Sequence, residues 1–381
     1  MGNIRKVLNK VLRPNVDYQP LIEVRVFKDA LLHNLNEYRD KYPKLQFAPV
    51  VKSNAYGHGM VEVAKLLDGQ QVPFFMVDSF YEALVLRRAA IKTKILVLGY
   101  CRQEQLLSAK LKDVSFGIID LQILKNLSAK LNRPLNIHLK IDTGMHRQGI
   151  MISEIPDAIA AIKSNKNIII EGVCSHFADA DSSQKDFTNK QIEAWNNVAK
   201  TFRAAFPEIK YFHTSATAGM YFAGEIDVNV GRLGIGLYGI NQSPHKPLNL
   251  KPAMEMVSLV SSIRNISAGE KVGYGISFES PQPMKIATVP VGYNEGVDRR
   301  LSNKGSYKIG NTFCPLVGRV SMNISSVDVS AIKDVNLEQE VIVISTNKTD
   351  KNSVENMAKI CECIPYEILV HIPQHLRRIL I

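Results

Sequence analysis

The stretch Leu45-Gln46-Phe47-Ala48-Pro49-Val50-Val51-Lys52-Ser53-Asn54-Ala55-Tyr56-Gly57-His58-Gly59 begins as a short apolar run with paired valines and ends in a lysine and a glycine-bracketed polar segment. It reads as a buried strand feeding a loop. The same texture recurs in runs from Phe74 to Ser79, Lys94 to Gly99, Val114 to Ile119, Leu135 to Asp142, Ile168 to His176, Tyr211 to Ser215 and Val228 to Tyr238. Segments of helical periodicity separate them: Val61 to Leu67, Phe80 to Arg88, Leu121 to Leu131, Glu154 to Ser164 and Lys185 to Phe206, with Val26 to Tyr42 ahead of the first run. Strand and helix in alternation predict βα units around a parallel sheet. An open doubly wound sheet shares that local pattern, but the count of strands and the length favour a (β/α)8 barrel.

Beyond Tyr238 the texture changes. Pro244, Pro247 and Pro252 punctuate the chain, and strand-like pieces follow without long helices: Met256 to Ile263, Pro283 to Val291, Tyr307 to Ile309, Val320 to Val327 and Glu340 to Ile344. The expected fold class is therefore α/β plus β. An N-terminal (β/α)8 barrel occupies residues 15–242, a C-terminal mainly β domain occupies 243–381, and residues 1–14, with Ile4, Val7, Leu8, Val11 and Leu12 at helical spacing, form an extra helix.

The chain has 381 residues, of which 45% are hydrophobic and 22% charged, a balance that suits a soluble globular protein and not a membrane one. Its basic N-terminus lacks the apolar block of a secretory signal. Five scattered cysteines, Cys101, Cys174, Cys314, Cys361 and Cys363, make no disulfide framework and no zinc knuckle, which fits free thiols in the cytoplasm. The formal net charge is +11, yet no basic run interleaved with aromatics appears. Nucleic-acid binding is set aside in favour of attraction for anionic small molecules.

In a barrel the chemistry gathers where strands run into the following loops. Lys52 stands at such an end. Burial lowers an amine's pKa and makes it a nucleophile able to form a Schiff base, although a lysine there can equally cap the strand and reach solvent. The fifth strand leads into Leu139-Lys140-Ile141-Asp142-Thr143-Gly144-Met145-His146-Arg147-Gln148-Gly149, where Arg147 offers a fork of donors for an oxyanion and Lys140 can pair with Asp142. His176 and Ser215 end the sixth and seventh strands. The run Val230-Gly231-Arg232-Leu233-Gly234-Ile235-Gly236 combines one charge with glycines whose amides can cradle a phosphate. In the second domain, Tyr274 is flanked by Gly273 and Gly275.

The segment from Val51 to Gly59 closely resembles the cofactor-binding segment of the alanine racemase family, and the other motifs follow in that family's order over nearly the whole chain. The resemblance implies a barrel with a C-terminal β domain and pyridoxal 5'-phosphate (PLP) on Lys52. It implies that Tyr56, His176, Ser215, Arg232, Gly234, Ile235 and Tyr366 surround the cofactor. Ser215, Gly234, Ile235 and Tyr366 would hold the phosphate, and His176 would bond the catalytic tyrosine. Arg147 and the Met322 amide would bind the substrate carboxylate, with Arg147 also placed to reach the cofactor phenolate. Lys140, often carbamylated in the family, would support Arg147; Tyr293 and Arg319 would line the access channel. Arg232 would face the pyridine nitrogen and, being protonated, donate to it, which makes the ring a weaker electron sink and restrains side reactions. Related barrel decarboxylases place an acidic residue there.

The resemblance further implies a homodimer with shared sites. Tyr274 would reach into the partner's barrel and share a two-base proton transfer with Lys52, the lysine serving the D-enantiomer and the tyrosine the L-enantiomer. The expected function is interconversion of L- and D-alanine, supplying D-alanine for peptidoglycan, with no metal. Three residues depart from the family pattern: His146 where glycine is common, Gln148 where an apolar residue is common, and Asn323 where aspartate is usual. They leave the substrate range open, whereas Tyr366 would limit the side chain to about a methyl or hydroxymethyl group. A decarboxylase on the same plan and a non-catalytic PLP carrier, which lacks the β domain, are the alternatives. Arg232 argues against the first; the second domain and Tyr274 argue against the second.

Overall fold

The computed structural model describes residues 19–241 and 248–381. The helix expected over residues 1–14 lies outside them. The first strand, β1 (Glu23–Val26), is followed by the helix Lys28–Lys41 and then by β2 (Gln46–Pro49), β3 (Phe75–Val77), β4 (Ile95–Val97), β5 (Val114–Ile118) and β6 (Leu135–Asp142). After these come β7 (Ile150–Met151), β8 (Ile168–Cys174), β9 (Tyr211–His213) and β10 (Val230–Leu233). Every run singled out between Leu45 and Tyr238 contains one of these parallel strands.

The barrel closes on itself. β3, β4, β5, β6, β8 and β9 are parallel neighbours in that order, and β10 pairs with β2. The Val50–Met76 bridge joins β2 to β3, while the Asn229 and Arg232 amides donate to the Phe212 and Ser215 carbonyls at 3.1 and 2.9 Å, joining β10 to the end of β9. Each strand is buried nearly throughout, so its composition is an unbroken apolar run and not an alternation. The helices are set by their own ends: Ser79 and Glu82 form a capping box on Phe80–Arg88, and Asp120 caps Leu121–Lys130. The long helix Asp186–Ala205 lays Trp195, Val198, Ala199 and Phe202 against the barrel, and the Trp195 Nε1–H donates to the Asp227 carbonyl at 3.0 Å.

The second domain is mainly β, with the strands Met254–Leu259, Ser262–Ile266, Met284–Val289, Ser306–Ile309, Thr312–Pro315, Ser325–Asp328, Glu340–Ile344 and Arg378–Leu380, together with the short helices Val354–Ile360 and Pro365–Val370. Two local expectations are corrected. Val320 to Val327 is strand only from Ser325; the preceding residues turn back so that the Ser321 amide donates to the Ile324 carbonyl at 2.9 Å, leaving no ladder to join. β1, whose last residue Val26 was expected to open the helix reaching Tyr42 and whose residues fell within the span 15–242, instead inserts into the second domain's six-stranded sheet, antiparallel to Met254–Leu259 and parallel to Arg378–Leu380. Arg25 fastens it there, with Nη1 3.2 Å from Glu255 and Nη2 2.5 Å from Glu340.

That second domain also packs on the Lys52 loop. Arg378 Nε donates to the Gly57 carbonyl at 3.0 Å, and a side chain at Gly57 would meet the Leu369 carbonyl at 2.2 Å, at a φ of +83° that also favours glycine.

Candidate active site

The Lys52 loop is strained. Ser53, Asn54, Ala55 and Tyr56 have φ between 52° and 54°, a left-handed turn of four L-residues in succession. Such a turn costs about 1–2 kcal/mol per residue and persists only when its surroundings over-determine it. Here they do. The Ser53 amide donates to Glu82 Oε1 at 2.7 Å, the Met60 amide donates to Asn54 Oδ1 at 3.0 Å, and Ala55 donates to the Val51 carbonyl at 2.9 Å. Glu82 Oε2 also accepts from the amides of Asp78 and Ser79, at 2.8 and 3.2 Å, so one carboxylate binds the ends of two neighbouring strands together.

Lys52, Tyr56, Lys140, Arg147, His176, Arg232, Gly234 and Tyr366 line one cavity of about 440 Å³ at the strand ends. Tyr366 comes from the second domain and packs its ring 5.7 Å from that of Tyr56, which in turn lies 5.1 Å from Tyr238. Burial holds the Tyr366 hydroxyl up at about 12, so it stays protonated. Ser215 and Ile235 are fully buried beside the cavity without lining it; the Ser215 carbonyl accepts the Arg232 amide.

Arg232 is only 3% exposed and its Nη2 donates to His176 Nδ1 at 2.8 Å and to the Thr214 carbonyl. Guanidinium only donates, so His176 Nδ1 must accept and the neutral ring carries its proton on Nε2. Removal from water, reinforced by Arg232, Arg147, Lys140 and Lys52, pushes the His176 pKa down to about 2. Lys140 is 5% exposed, and burial together with Arg147 and Arg232 lowers its pKa, opposed by Cys174 and Asp142. Asp142 turns Oδ1 to the amides of Gly144 and His146, at 2.8 and 3.1 Å, which shapes the Arg147 loop. His146 itself has φ +53°, a conformation that glycine adopts without strain, and Gln148 lines the cavity.

Two lining residues carry chemistry that sequence reasoning missed. Asp78, just past β3, places Oδ1 3.3 Å from Lys52 Nζ, and Thr217 Oγ1 accepts the Gly236 amide at 3.2 Å. The signal for Asp78 was its place at a strand end; for Thr217 it was the short step from Ser215.

Tyr274, Tyr293 and Met322 are elsewhere. They line a second cavity of about 830 Å³ with Arg299 and Asn323, and the two cavities share no lining residue. Tyr274 sits at the tip of a hairpin formed by Lys271–Val272 and Phe278–Glu279 and is 71% exposed; the Arg319 guanidinium lies against Gly275.

Comparison with known proteins decides the family. The model of the alanine racemase N-terminal domain matches residues 26–242, and that of the C-terminal domain matches 253–380. The chain belongs to the alanine racemase family. It is 35% identical to an alanine racemase of Methanococcus maripaludis over 92% of this chain and 96% of that protein. It is also 37% identical to one of Lactobacillus gasseri over 93% and 96%. Among solved structures, alanine racemase of Clostridium difficile 630 superposes with a TM-score of 0.88 at 29% identity, covering 96% of this chain and 97% of that one. Alanine racemase of Bacillus anthracis with bound L-Ala-P gives 0.88 at 28%, covering 96% of each. This alanine racemase family member is thus an amino-acid racemase with the barrel-plus-β architecture expected from its sequence. No described helix is long and apolar enough to cross a membrane.

Proposed function

We propose that this racemase interconverts L- and D-alanine, using PLP held by Lys52, as a cytoplasmic homodimer whose product serves peptidoglycan synthesis. The observation that carries this reading is the charge of the first cavity: Lys52, Lys140, Arg147 and Arg232 line it against the single carboxylate of Asp78. Such a surplus suits an anionic ligand. A buried guanidinium without a carboxylate partner suits a ring nitrogen or phenolate oxygen that needs a donor and no proton acceptor. When bound, PLP withdraws electrons from an amino acid joined to it and so acidifies the hydrogen on Cα.

The chain's own residues supply the rest. Tyr56, Ser215, Gly234, Ile235 and Tyr366 would hold the phosphate and pack the ring, and Arg147 with the Met322 amide would hold the substrate carboxylate. Tyr293 and Arg319 would frame the access channel, and Lys140 would support Arg147 as a carbamate, which replaces a cation by an anion beside two arginines. Lys52 Nζ would take the Cα proton of D-alanine on one face, and the Tyr274 hydroxyl, delivered by the partner subunit, would return one on the other; the L-enantiomer runs in reverse. The His176 Nε2–H, fixed by Arg232, would be free to orient that hydroxyl. Exposure of Tyr274 and its separation from Lys52 within one chain support delivery across a dimer interface. The two structural units in this reading are 15–242 and 243–381, with β1 crossing from the first into the sheet of the second.

Absorbance of the lysine–cofactor bond, followed with racemisation of alanine, tests the proposal. Lys52→Ala is expected to lose both. A retained chromophore on another lysine would refute the assignment, and carbon dioxide release in place of enantiomer exchange would refute the reaction.

A further inference from the structure

Beside the second cavity, bonded to its lining residue Asn323, is a buried carboxylate for which the proposed mechanism has no use. Glu295 is 6% exposed and makes no ion pair with Lys or Arg among the described residues. Its oxygens are satisfied by N–H donors alone. Oε2 accepts from the Gly292 amide at 2.9 Å, and Oε1 accepts from Asn294 Nδ2 at 3.0 Å and Asn323 Nδ2 at 2.6 Å. The last of these bonds crosses between two loops. The backbone bonds beside it cross between the same loops in the opposite sense: Tyr293 N donates to the Ser321 carbonyl at 3.0 Å and Asn294 N to the Met322 carbonyl at 2.9 Å. The loops approach so closely that a side chain at Gly292 would meet the Ser321 and Met322 carbonyls at 2.2 and 2.4 Å. Both carbonyls of the turn are therefore occupied, while among the described residues nothing accepts the Met322 N–H.

We propose that Glu295 and Asn323 form a positioning pair that sets where the Met322 N–H stands. The inference rests on the reading that this N–H binds the substrate carboxylate. The chemistry of the pair is specific. An ionised carboxylate accepts and does not donate, so the residue at 323 must bring an N–H; an aspartate there would set two carboxylates against each other. Asn323 is thus determined by Glu295, and a reciprocal exchange restores the match. In Glu295→Gln with Asn323→Asp, the glutamine Oε1 accepts the Gly292 amide, its Nε2 donates to the new aspartate, and the Asn294 side-chain amide turns to present Oδ1 to that same Nε2.

The test uses the PLP-loaded full chain in four forms: wild type, Asn323→Asp, Asn323→Ala and the double variant. Two quantities are read, kcat/KM for alanine and hydrogen exchange at the amides of Tyr293 and Asn294. Asn323→Asp is expected to lower kcat/KM about tenfold or more, chiefly through KM, and to speed exchange at both amides. Asn323→Ala, which removes one donor without adding charge, is expected to cost about threefold, and the double variant to return within about threefold of wild type. The rescue separates positioning from a general loss of packing. Asn323→Asp matching wild type in both readouts would overturn the pair, as would a double variant no better than Asn323→Asp. Should Asn323→Asp not fold, the alanine and double variants still decide it: a double variant that fails with it overturns the pair. Exchange following the pattern while kcat/KM stays constant would leave the pair standing and sink the role given to Met322.

Discussion

Arg232 Nη2 lies 2.8 Å from His176 Nδ1, and this bond decides the tautomer of a cavity-lining histidine that burial, reinforced by the same guanidinium, keeps neutral. Replacing Arg232 by Lys leaves a cation but loses the rigid planar guanidinium whose Nη2 reaches His176 and the Thr214 carbonyl together. Arg232→Lys is expected to lower kcat/KM for alanine by about ten- to a hundredfold, equally in both directions. Arg232→Glu is expected to lose racemisation and to raise pyruvate formation from alanine. Steady-state rates with each enantiomer, and a pyruvate assay, check the pair of outcomes.

Stability is expected to fall with acid through histidines. His58, His138 and His213 are buried, and removal from water holds His58 down at about 4, His138 at about 3 and His213 well below its usual range. In the unfolded chain each titrates near about 6.5. Their folded values are depressed, so below that pH the unfolded state binds protons the folded state refuses. The stabilisation is fully present above about 6.5 and is lost as pH falls from there toward the folded values. Each is expected to contribute about 1.4 kcal/mol of the loss between pH 7.5 and 5.5. Urea unfolding at the two pH values measures it, and His58→Gln should remove one histidine's share.

Glu82 should matter to cofactor binding although it does not line the cavity. Its carboxylate holds the Ser53 amide and those of Asp78 and Ser79, and the left-handed turn after Lys52 depends on such restraints. Glu82→Ala is expected to destabilise the protein by about 1–3 kcal/mol and to weaken PLP retention more than Glu82→Gln does. Thermal melting and cofactor loss on dialysis distinguish these outcomes.

Lys140 is a buried amine whose pKa is lowered by burial and by Arg147 and Arg232, which favours the neutral form that reacts with carbon dioxide. A carbamate carbon signal is expected in protein supplied with labelled bicarbonate, absent from Lys140→Ala, and the variant should raise KM for alanine. A wild-type protein showing no such signal would leave Lys140 as an amine.

Tyr366 stands over the cavity from the second domain, its ring against Tyr56. Tyr366→Ala is expected to lower activity on alanine and to raise kcat/KM for larger amino acids relative to it. A racemisation screen over alanine, serine and larger side chains reads this directly.

The barrel strands were legible because a strand buried on both faces needs an unbroken apolar run, as in β3, β4 and β5. β1 was not, since Glu23–Val26 is four residues long and its place depends on partners more than two hundred residues away in sequence. The stretch 320–324 misled for the opposite reason: its composition suits a strand, but the Gly292 loop claims its carbonyls. Asp78 and Glu82 escaped notice because a single acidic residue has no periodicity; only the fold shows which amides and amines it faces.

By itself the sequence determined the repeated βα pattern, the change to β texture after Tyr238, and the placing of Lys52, His176 and Ser215 at the ends of strands, of Arg147 in the segment after one and of Arg232 within another, because these follow from local composition and from a barrel's geometry. Tertiary structure alone decided which of them meet. It put Lys52, Lys140, Arg147, His176 and Arg232 around one cavity and buried Ser215 beside it. It gathered Tyr274, Tyr293 and Met322 around another. Distances between residues far apart in sequence depend on how closed sheets and loops pack, and no run of neighbours along the chain encodes them.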